Sequence, residues 1–194
     1  MNHLRPAIVL IALFTLLTGI VLPLAFSGAA TALVPGRATG SLVERDGKLV
    51  GSALLGQNFT TDRYFHPRPS ATTDTDPNDP AKTVPVPYDA NSSGGSNLGP
   101  TSKALVDRVH EVIGTDTAVP ADAVTTSASG LDPDISPENA ERQVARVASA
   151  RGLPPDVVRA LVANQREGRL FGLFGERHVN VLALNLALDA SPTR

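Results

Sequence analysis

The 194-residue sequence contains no cysteine, and Arg5 is the only charged side chain among its first thirty-six residues. The absence of cysteine excludes disulfide scaffolds, thiolate zinc sites, thiol catalysis and lipid-modified cysteine. The remainder of the chain carries sixteen basic and nineteen acidic residues, a formal charge of −3. This near-balance argues against a nucleic-acid-binding domain, because phosphate neutralisation requires a clustered surplus of lysine and arginine.

An uncharged segment from Pro6 to Gly36 places Ile, Val, Leu and Phe around the whole circumference of a helix. It is longer than the apolar part of a cleavable signal, about 7 to 15 residues, and reaches the length of about 20 that crosses a bilayer. We therefore predict that residues 1–36 form a transmembrane anchor and that 37–194 form one domain. The alternative is a signal-cleaved, secreted binding module, because Ser27-Gly28-Ala29 and Ala30-Thr31-Ala32 match the small-x-small pattern of a cleavage site.

A proline interrupts this apolar segment. Pro23 has no amide hydrogen and its ring crowds the carbonyl of Gly19, so a bend is predicted there. In lipid, the freed carbonyl needs a partner, which either a neighbouring helix or a hydroxyl of the same helix would supply. Both alternatives remain open, and the predicted partner-packing residues are Thr18, Gly19, Pro23, Ser27 and Gly28.

The flanks of the apolar segment predict its orientation. Arg5 lies in a short amino-terminal head, whereas the basic residues after the segment are mixed with Glu44 and Asp46. A short basic head stays in the cytoplasm while a long domain behind it translocates readily. We therefore predict a single-pass protein of the cell (inner) membrane, with its carboxy-terminal domain outside the cytoplasm.

The rest of the pattern predicts a mixed α/β fold. Residues 41–56 are typical of a hairpin around Asp46-Gly47. Residues 62–100 are rich in Pro, Gly and Ser and predict a long irregular loop. Helices are predicted over 100–113, over 136–151 with Ser136 as the cap, and over 155–165, and the ambiguous tail 179–188 favours a helix after an Asn180 cap.

Most catalytic and metal-binding patterns are absent or incomplete. The four histidines share no close spacing, and the acidic run from Asp74 to Asp79 lacks the glycine and glutamate of a calcium loop, so no metal site is predicted. No Gly-x-Ser-x-Gly elbow, Ser-x-x-Lys pair or Walker-type loop occurs, and no catalytic residue is predicted. A site assembled by the fold from Ser96, His66 or His110, and Asp89 is the remaining enzymatic alternative.

One stretch has a composition that suits anion binding. Residues 92–99, SSGGSNLG, precede a predicted helix, and their glycines permit backbone amides to converge on an anion. The alternative is an ordinary tight loop in which Asn97 caps the helix.

Five stretches together resemble one family, the C subunit of the Kdp complex, the high-affinity ATP-driven potassium pump of bacteria and archaea. They are GSALLGQNF at 51–59, RYFHPRPS at 63–70, YDANSSGGSNLGPTS at 88–102, SGLDPDISPENAERQVARVASARG at 129–152 and LFGLFGERHVNVLALNLAL at 170–188. Family members often carry Trp at the position of His66 and Asn at that of Asp89.

The resemblance implies a non-catalytic, single-pass subunit. Its implied partners are a channel-like potassium-binding subunit, a P-type ATPase subunit, a small membrane subunit and the lipid bilayer. The family is described as a catalytic chaperone that raises the ATP affinity of the ATPase subunit, so ATP is a possible ligand. The implied nucleotide contacts are Ser93, Gly94, Gly95, Ser96 and Gln143. The mechanism we prefer has the helix packing on the transport subunits while the domain covers the potassium entrance, because a bilayer about 30 Å thick separates an outside domain from cytoplasmic ATP.

Overall fold

The computed structural model describes residues 3–114 and 118–191, and the chain divides into two compact units, residues 1–52 and 53–194. Unit 1 begins with helix α1, Leu4–Leu16, a π-helical turn, Leu17–Val21, and helix α2, Leu22–Leu33. These segments form 30 helical residues with a mean hydropathy of 2.6 in the most apolar window, none of it buried. Such a helix is about 45 Å long, which is sufficient to cross a hydrocarbon core of about 30 Å.

The π-helical turn lies where the sequence predicts an irregularity. The Leu22 amide donates to the carbonyl of Leu17, five residues earlier, which is the hydrogen bond of a widened turn. Pro23 follows directly and has no amide to donate. The Thr18 hydroxyl donates to the Phe14 carbonyl at 2.6 Å, so this hydroxyl is satisfied within its own helix.

The remainder of unit 1 contains the short helix α3, Pro35–Ala38, and the antiparallel strands β1, Leu42–Arg45, and β2, Lys48–Ser52. Asp46 and Gly47 connect the strands with φ values of 52° and 73°. Two consecutive positive φ angles are what a tight type I′ turn requires. The predicted hairpin is confirmed, although its second strand ends at Ser52 and not at residue 56.

Unit 2 has its core between three helices and a small sheet. The helices are α6, Pro137–Arg151, α7, Pro155–Asn164, and α8, Val181–Ala190. The antiparallel sheet has the order β5, Asp134–Ile135, then β7, His178–Asn180, then β6, Arg166–Glu167. Fully or almost fully buried side chains fill the space between them, among them Phe65, Ile135, Val147, Val158, Val179, Leu184 and Leu188.

Caps define the ends of the core helices as the sequence predicts. The Ser136 hydroxyl accepts from the Asn139 amide, and the Asn180 side chain accepts from the Ala183 amide, both at 3.0 Å. Helix α6 ends at Gly152, whose φ of 66° suits a left-handed cap. The helices over 136–151 and 155–165 and the helical interpretation of the tail are therefore confirmed.

The middle of the chain differs from the prediction at two places. The Pro-rich loop 62–100 contains an antiparallel hairpin of β3, Thr73–Asp76, and β4, Asp79–Pro85. Prolines are tolerated there because both strands of a two-stranded sheet are edge strands. The helix predicted over 100–113 is confirmed as α4, Lys103–Ile113. It starts after Ser102, whose side chain makes no capping hydrogen bond, and not after Asn97.

A short helix, α5, Ala121–Val124, completes the described elements and was not predicted. The mixed α/β class of the fold is confirmed. The boundary between the two compact units falls after Ser52 in the sequence, whereas the predicted anchor ends at residue 36. The predicted domain limits stay a prediction.

Candidate functional site

The Ser-Gly-Gly loop packs against a second loop of unit 2, residues 126–130. The Gly94 amide and the Ser93 hydroxyl both donate to the Ser129 carbonyl, at 2.9 and 3.1 Å. The Ser96 hydroxyl accepts from Thr126 Oγ1 at 3.1 Å. The Gly94 amide is thus engaged by protein and does not point into solvent as the predicted anion nest requires.

Close approach of the two loops explains their glycines. A Cβ on Gly130 would lie 2.6 Å from the Gly94 carbonyl oxygen, and the φ of Gly130 is 69°. A Cβ on Gly95 would lie 3.1 Å from the Ala128 carbonyl oxygen. Both positions are therefore restricted by packing between the loops.

Gln143 occupies a different place, on the buried face of α6. Its Oε1 accepts from the His66 amide at 2.7 Å, and its Nε2 donates to the His66 carbonyl at 3.1 Å. Oε1 also accepts from Arg146 at 2.7 Å, and Nε2 donates to Asn139 Oδ1 at 3.2 Å. The side-chain amide therefore makes four hydrogen bonds within the chain, and two of them hold the backbone of His66.

Asn185, on α8, makes the same contact with the preceding residue. Its Oδ1 accepts from the Phe65 amide at 2.8 Å, and its Nδ2 donates to the Phe65 carbonyl at 3.0 Å. Two helices thus use side-chain amides to satisfy the backbone of consecutive residues, as a neighbouring strand would. The sequence analysis missed Asn185, although a single polar residue in the apolar run VLALNLAL is a signal that could have indicated it.

A cavity of about 560 Å³ lies beside this clamped segment. Arg68, Arg142 and Arg146 line it together with His66 and Gln143, and none of its lining residues is acidic. Arg68 pairs with Asp132 at 2.9 Å, while its buried Nε has no hydrogen-bond partner in the described chain. Ser93–Ser96 do not line this cavity. Of the five implied nucleotide contacts, only Gln143 lines this cavity.

Burial perturbs two titratable groups around the cavity. Desolvation lowers the pKa of His66, an effect that the Thr61 carbonyl opposes and the nearby Arg146 reinforces. Desolvation also raises the pKa of Tyr88, whose hydroxyl donates to the Arg68 carbonyl at 2.6 Å. Both groups are thereby kept neutral over a wider pH range.

The residues of the enzymatic alternative have separate partners. The His66 ring contacts the Thr61 carbonyl and Arg146, at 3.0 and 3.3 Å. Asp89 accepts from the Asn91 amide at 2.9 Å, and Ser96 contacts Thr126. No hydrogen bond recorded for the described chain joins Ser96, His66, His110 and Asp89 as a nucleophile, base and orienting acid require.

Acidic side chains gather on another surface of unit 2. Asp122, Asp132 and Asp134 line a cavity of about 470 Å³ with His178. Burial raises the pKa of Asp134, against the opposing effects of His178 and Asn180. Within residues 3–114 and 118–191, no group of three or more His, Asp or Glu side chains is placed to hold a metal ion.

These features indicate a class of protein. One long apolar helix, whose side chains the chain itself does not cover, is joined to a mixed α/β unit, which is compatible with a single-pass membrane protein.

Comparison with known proteins identifies the family. The family model for KdpC, described as K+-transporting ATPase, c chain, matches residues 4–190. The potassium-transporting ATPase KdpC subunit of Bradyrhizobium diazoefficiens is 58% identical over 200 residues, covering all of both chains. The protein of the same description from Methylorubrum populi is 60% identical over 195 residues, covering 97% of each chain. The chain belongs to the KdpC family.

Proposed function

We propose that this chain is an accessory subunit of the potassium-transporting ATPase, anchored by its apolar helix, with unit 2 outside the cytoplasm over the potassium entrance. The observation that carries the proposal is the 30-residue helix, none of whose most apolar window is buried. A surface of this kind requires lipid or other membrane helices. The full-length similarity to KdpC subunits supports assembly with other Kdp subunits. We propose that these are the channel-like potassium-binding subunit, the P-type ATPase subunit and the small membrane subunit.

Small residues provide the surface for helix packing. A Cβ added to Gly19 or Gly28 would meet no atom within 4 Å, so larger side chains fit the isolated chain at both positions. Close helix–helix packing uses such small residues. Gly28→Leu is therefore expected to weaken co-purification with the other subunits from mild detergent, whereas Ala7→Leu, near the start of the helix, is expected to preserve it. Equal recovery of both variants would contradict packing through Gly28.

The charge of unit 2 supports a role near a cation pathway. Residues 53–194 contain seventeen acidic and thirteen basic side chains, a formal charge of −4. Asp74 and Asp76 lie in the β3–β4 hairpin, where each carboxylate accepts from a nearby backbone amide. Their charge raises the local potassium concentration, within a screening length of about 10 Å at 0.1 M salt.

Asparagine variants test this electrostatic contribution, because asparagine keeps an acceptor oxygen for those backbone contacts. The double variant Asp74→Asn, Asp76→Asn is expected to raise the potassium concentration for half-maximal ATPase activity by up to about twofold at low salt. The change should disappear in concentrated choline chloride, and Lys82→Gln should shift the value in the opposite direction. An unchanged half-maximal concentration at low salt would remove the electrostatic part of the proposal.

A nucleotide role for Ser93, Gly94, Gly95, Ser96 and Gln143 stays a prediction from family resemblance. An ATP analogue that crosslinks to the intact complex in sealed right-side-out vesicles tests it. Labelling of this chain only by externally added analogue would reveal binding unrelated to cytoplasmic ATP, whereas labelling only by enclosed analogue would contradict the proposed outside location.

The signal-cleaved alternative makes a different prediction for the mature protein. Anchorage predicts an amino terminus at Met1 or Asn2 in the membrane fraction. Secretion predicts a start near Ala30 or Leu33 in a chain released from the membrane. Amino-terminal sequencing of the native protein distinguishes the two outcomes.

A further inference from the structure

Unit 2 presents an apolar tip, which consists of the side chains of Leu170, Phe171, Leu173 and Phe174 in the connection between β6 and β7. Their exposed fractions are 63%, 85%, 76% and 67%. The two phenylalanines alone expose about 300 Å². This approaches the size of the largest apolar patch on a typical monomer, which is often functional.

Four of the five backbone amides from Leu170 to Phe174 donate hydrogen bonds within the turn. Leu170 and Phe174 exchange amide-to-carbonyl bonds of 2.8 and 3.0 Å, and the amides of Gly172 and Leu173 donate to the carbonyls of Arg169 and Leu170. Phe171 has a φ of 53°, a conformation that bulky residues rarely adopt. The turn therefore holds its side chains outward on a closed backbone. A backbone of this kind enters an apolar medium without leaving those amides unpaired.

The chemistry of the tip matches a membrane interface more closely than a protein interface. From Leu170 to Phe174, no side chain contains a hydrogen-bonding group, whereas protein interfaces surround their anchors with polar contacts and favour Tyr, Trp and Arg. Arg169 pairs with Glu176 at 2.7 Å at the base of the tip, and Arg177 follows. Cationic side chains beside Phe and Leu suit the level of lipid headgroups.

The chain also carries the means to stay near a bilayer. Residues 34–52, which include α3 and the β1–β2 hairpin, separate the apolar helix from unit 2. Even fully extended, a connection of this length reaches at most about 65 Å. We propose that the apolar tip inserts into the headgroup and acyl boundary of the bilayer as a second membrane contact of this chain. The inference rests on the anchorage in the proposed function and requires no other pump subunit.

The absence of tryptophan from the sequence provides a direct test. The full chain carrying Phe171→Trp is reconstituted, without other subunits, into vesicles of phosphatidylcholine and phosphatidylglycerol. The matched control is Leu54→Trp, at a position in unit 2 that is 62% exposed. We expect blue-shifted emission at position 171 and severalfold stronger quenching by brominated acyl chains than at position 54. Leu173→Trp should reproduce the result, and far-UV circular dichroism verifies that each variant is folded.

The outcomes separate this inference from the proposed function. A folded, vesicle-bound chain whose position 171 emits and is quenched like position 54 would overturn tip insertion alone. A blue shift that appears only after the other subunits are added would assign the tip to a protein partner and would also overturn it. A chain that does not remain with the vesicles would contradict anchorage, and the inference with it.

Discussion

Substitution of Gln143 distinguishes most clearly between a structural and a nucleotide-binding role for this residue. Gln143→Leu preserves much of the side-chain volume and removes four hydrogen bonds, to the His66 amide and carbonyl, Asn139 and Arg146. Net losses of about 1 kcal/mol for each of the three neutral bonds, and about 1.5 kcal/mol for the charged one, give a destabilisation of about 4 to 5 kcal/mol. We do not expect more, because Arg146 retains the Asp62 and Tyr64 carbonyls as acceptors.

Thermal unfolding in detergent, followed by circular dichroism, measures this loss. At about 3 °C per kcal/mol for a unit of this size, the melting temperature should fall by about 12 to 15 °C. Gln143→Glu keeps the acceptor for the His66 amide and Arg146 and should lose less, while Ser149→Ala on the exposed face of α6 should change little. Below the lowered melting temperature, the ATP concentration for half-maximal pump activity should be unchanged. A stable Gln143→Leu protein with a raised ATP requirement would refute the structural interpretation.

Three further predictions concern the stability of unit 2. The Arg151 side chain is 2% exposed and pairs with Asp189 at 2.8 Å. Arg151→Met should therefore lower the free energy of unfolding by about 3 kcal/mol, because a partly buried carboxylate loses its cation. Denaturant unfolding tests this, and a loss smaller than that of Arg159→Gln, which removes an exposed ion pair, would contradict it. Gly130→Ala should lower the melting temperature more than Gly152→Ala. Both glycines have a positive φ, but of the two only Gly130 has atoms within 4 Å of the added Cβ. Equal losses would contradict this prediction and show that the two packed loops of unit 2 adjust to the added methyl group. Because the pKa of His66 is lowered in the folded chain, the unfolded chain binds a proton more readily near pH 6.5. His66 therefore lowers the free energy of unfolding as pH falls from about 6.5 through its folded pKa. His66→Gln should flatten that part of the plot of stability against pH, and an unaltered plot would exclude His66 as the source of this pH dependence.

The sequence predicts the elements whose signals are local. Ser136 and Asn180 lie directly before helix-forming runs, and their side-chain oxygens cap α6 and α8. Asp46-Gly47 likewise determines its hairpin through backbone angles alone. These interactions depend on residues a few positions apart, so a linear pattern contains the necessary information.

The missed features depend on contacts between distant residues. Prolines between Thr73 and Pro85 argue against a strand by local rules, yet an isolated hairpin has no central strand for them to disrupt. The pairing of Gln143 and Asn185 with consecutive backbone groups joins residues 77 and 120 positions apart. Nothing in the local sequence around Gln143 distinguishes this role from a ligand contact.

The location of unit 2 relative to the membrane is the central claim, and one labelling measurement tests it most directly. Because the chain has no cysteine, Thr83→Cys at an exposed position of β4 supplies a single thiol. A membrane-impermeant maleimide applied to intact spheroplasts containing the assembled pump is predicted to label this thiol without permeabilisation. Labelling that appears only after the membrane is opened would place unit 2 in the cytoplasm and contradict its proposed position over the potassium entrance.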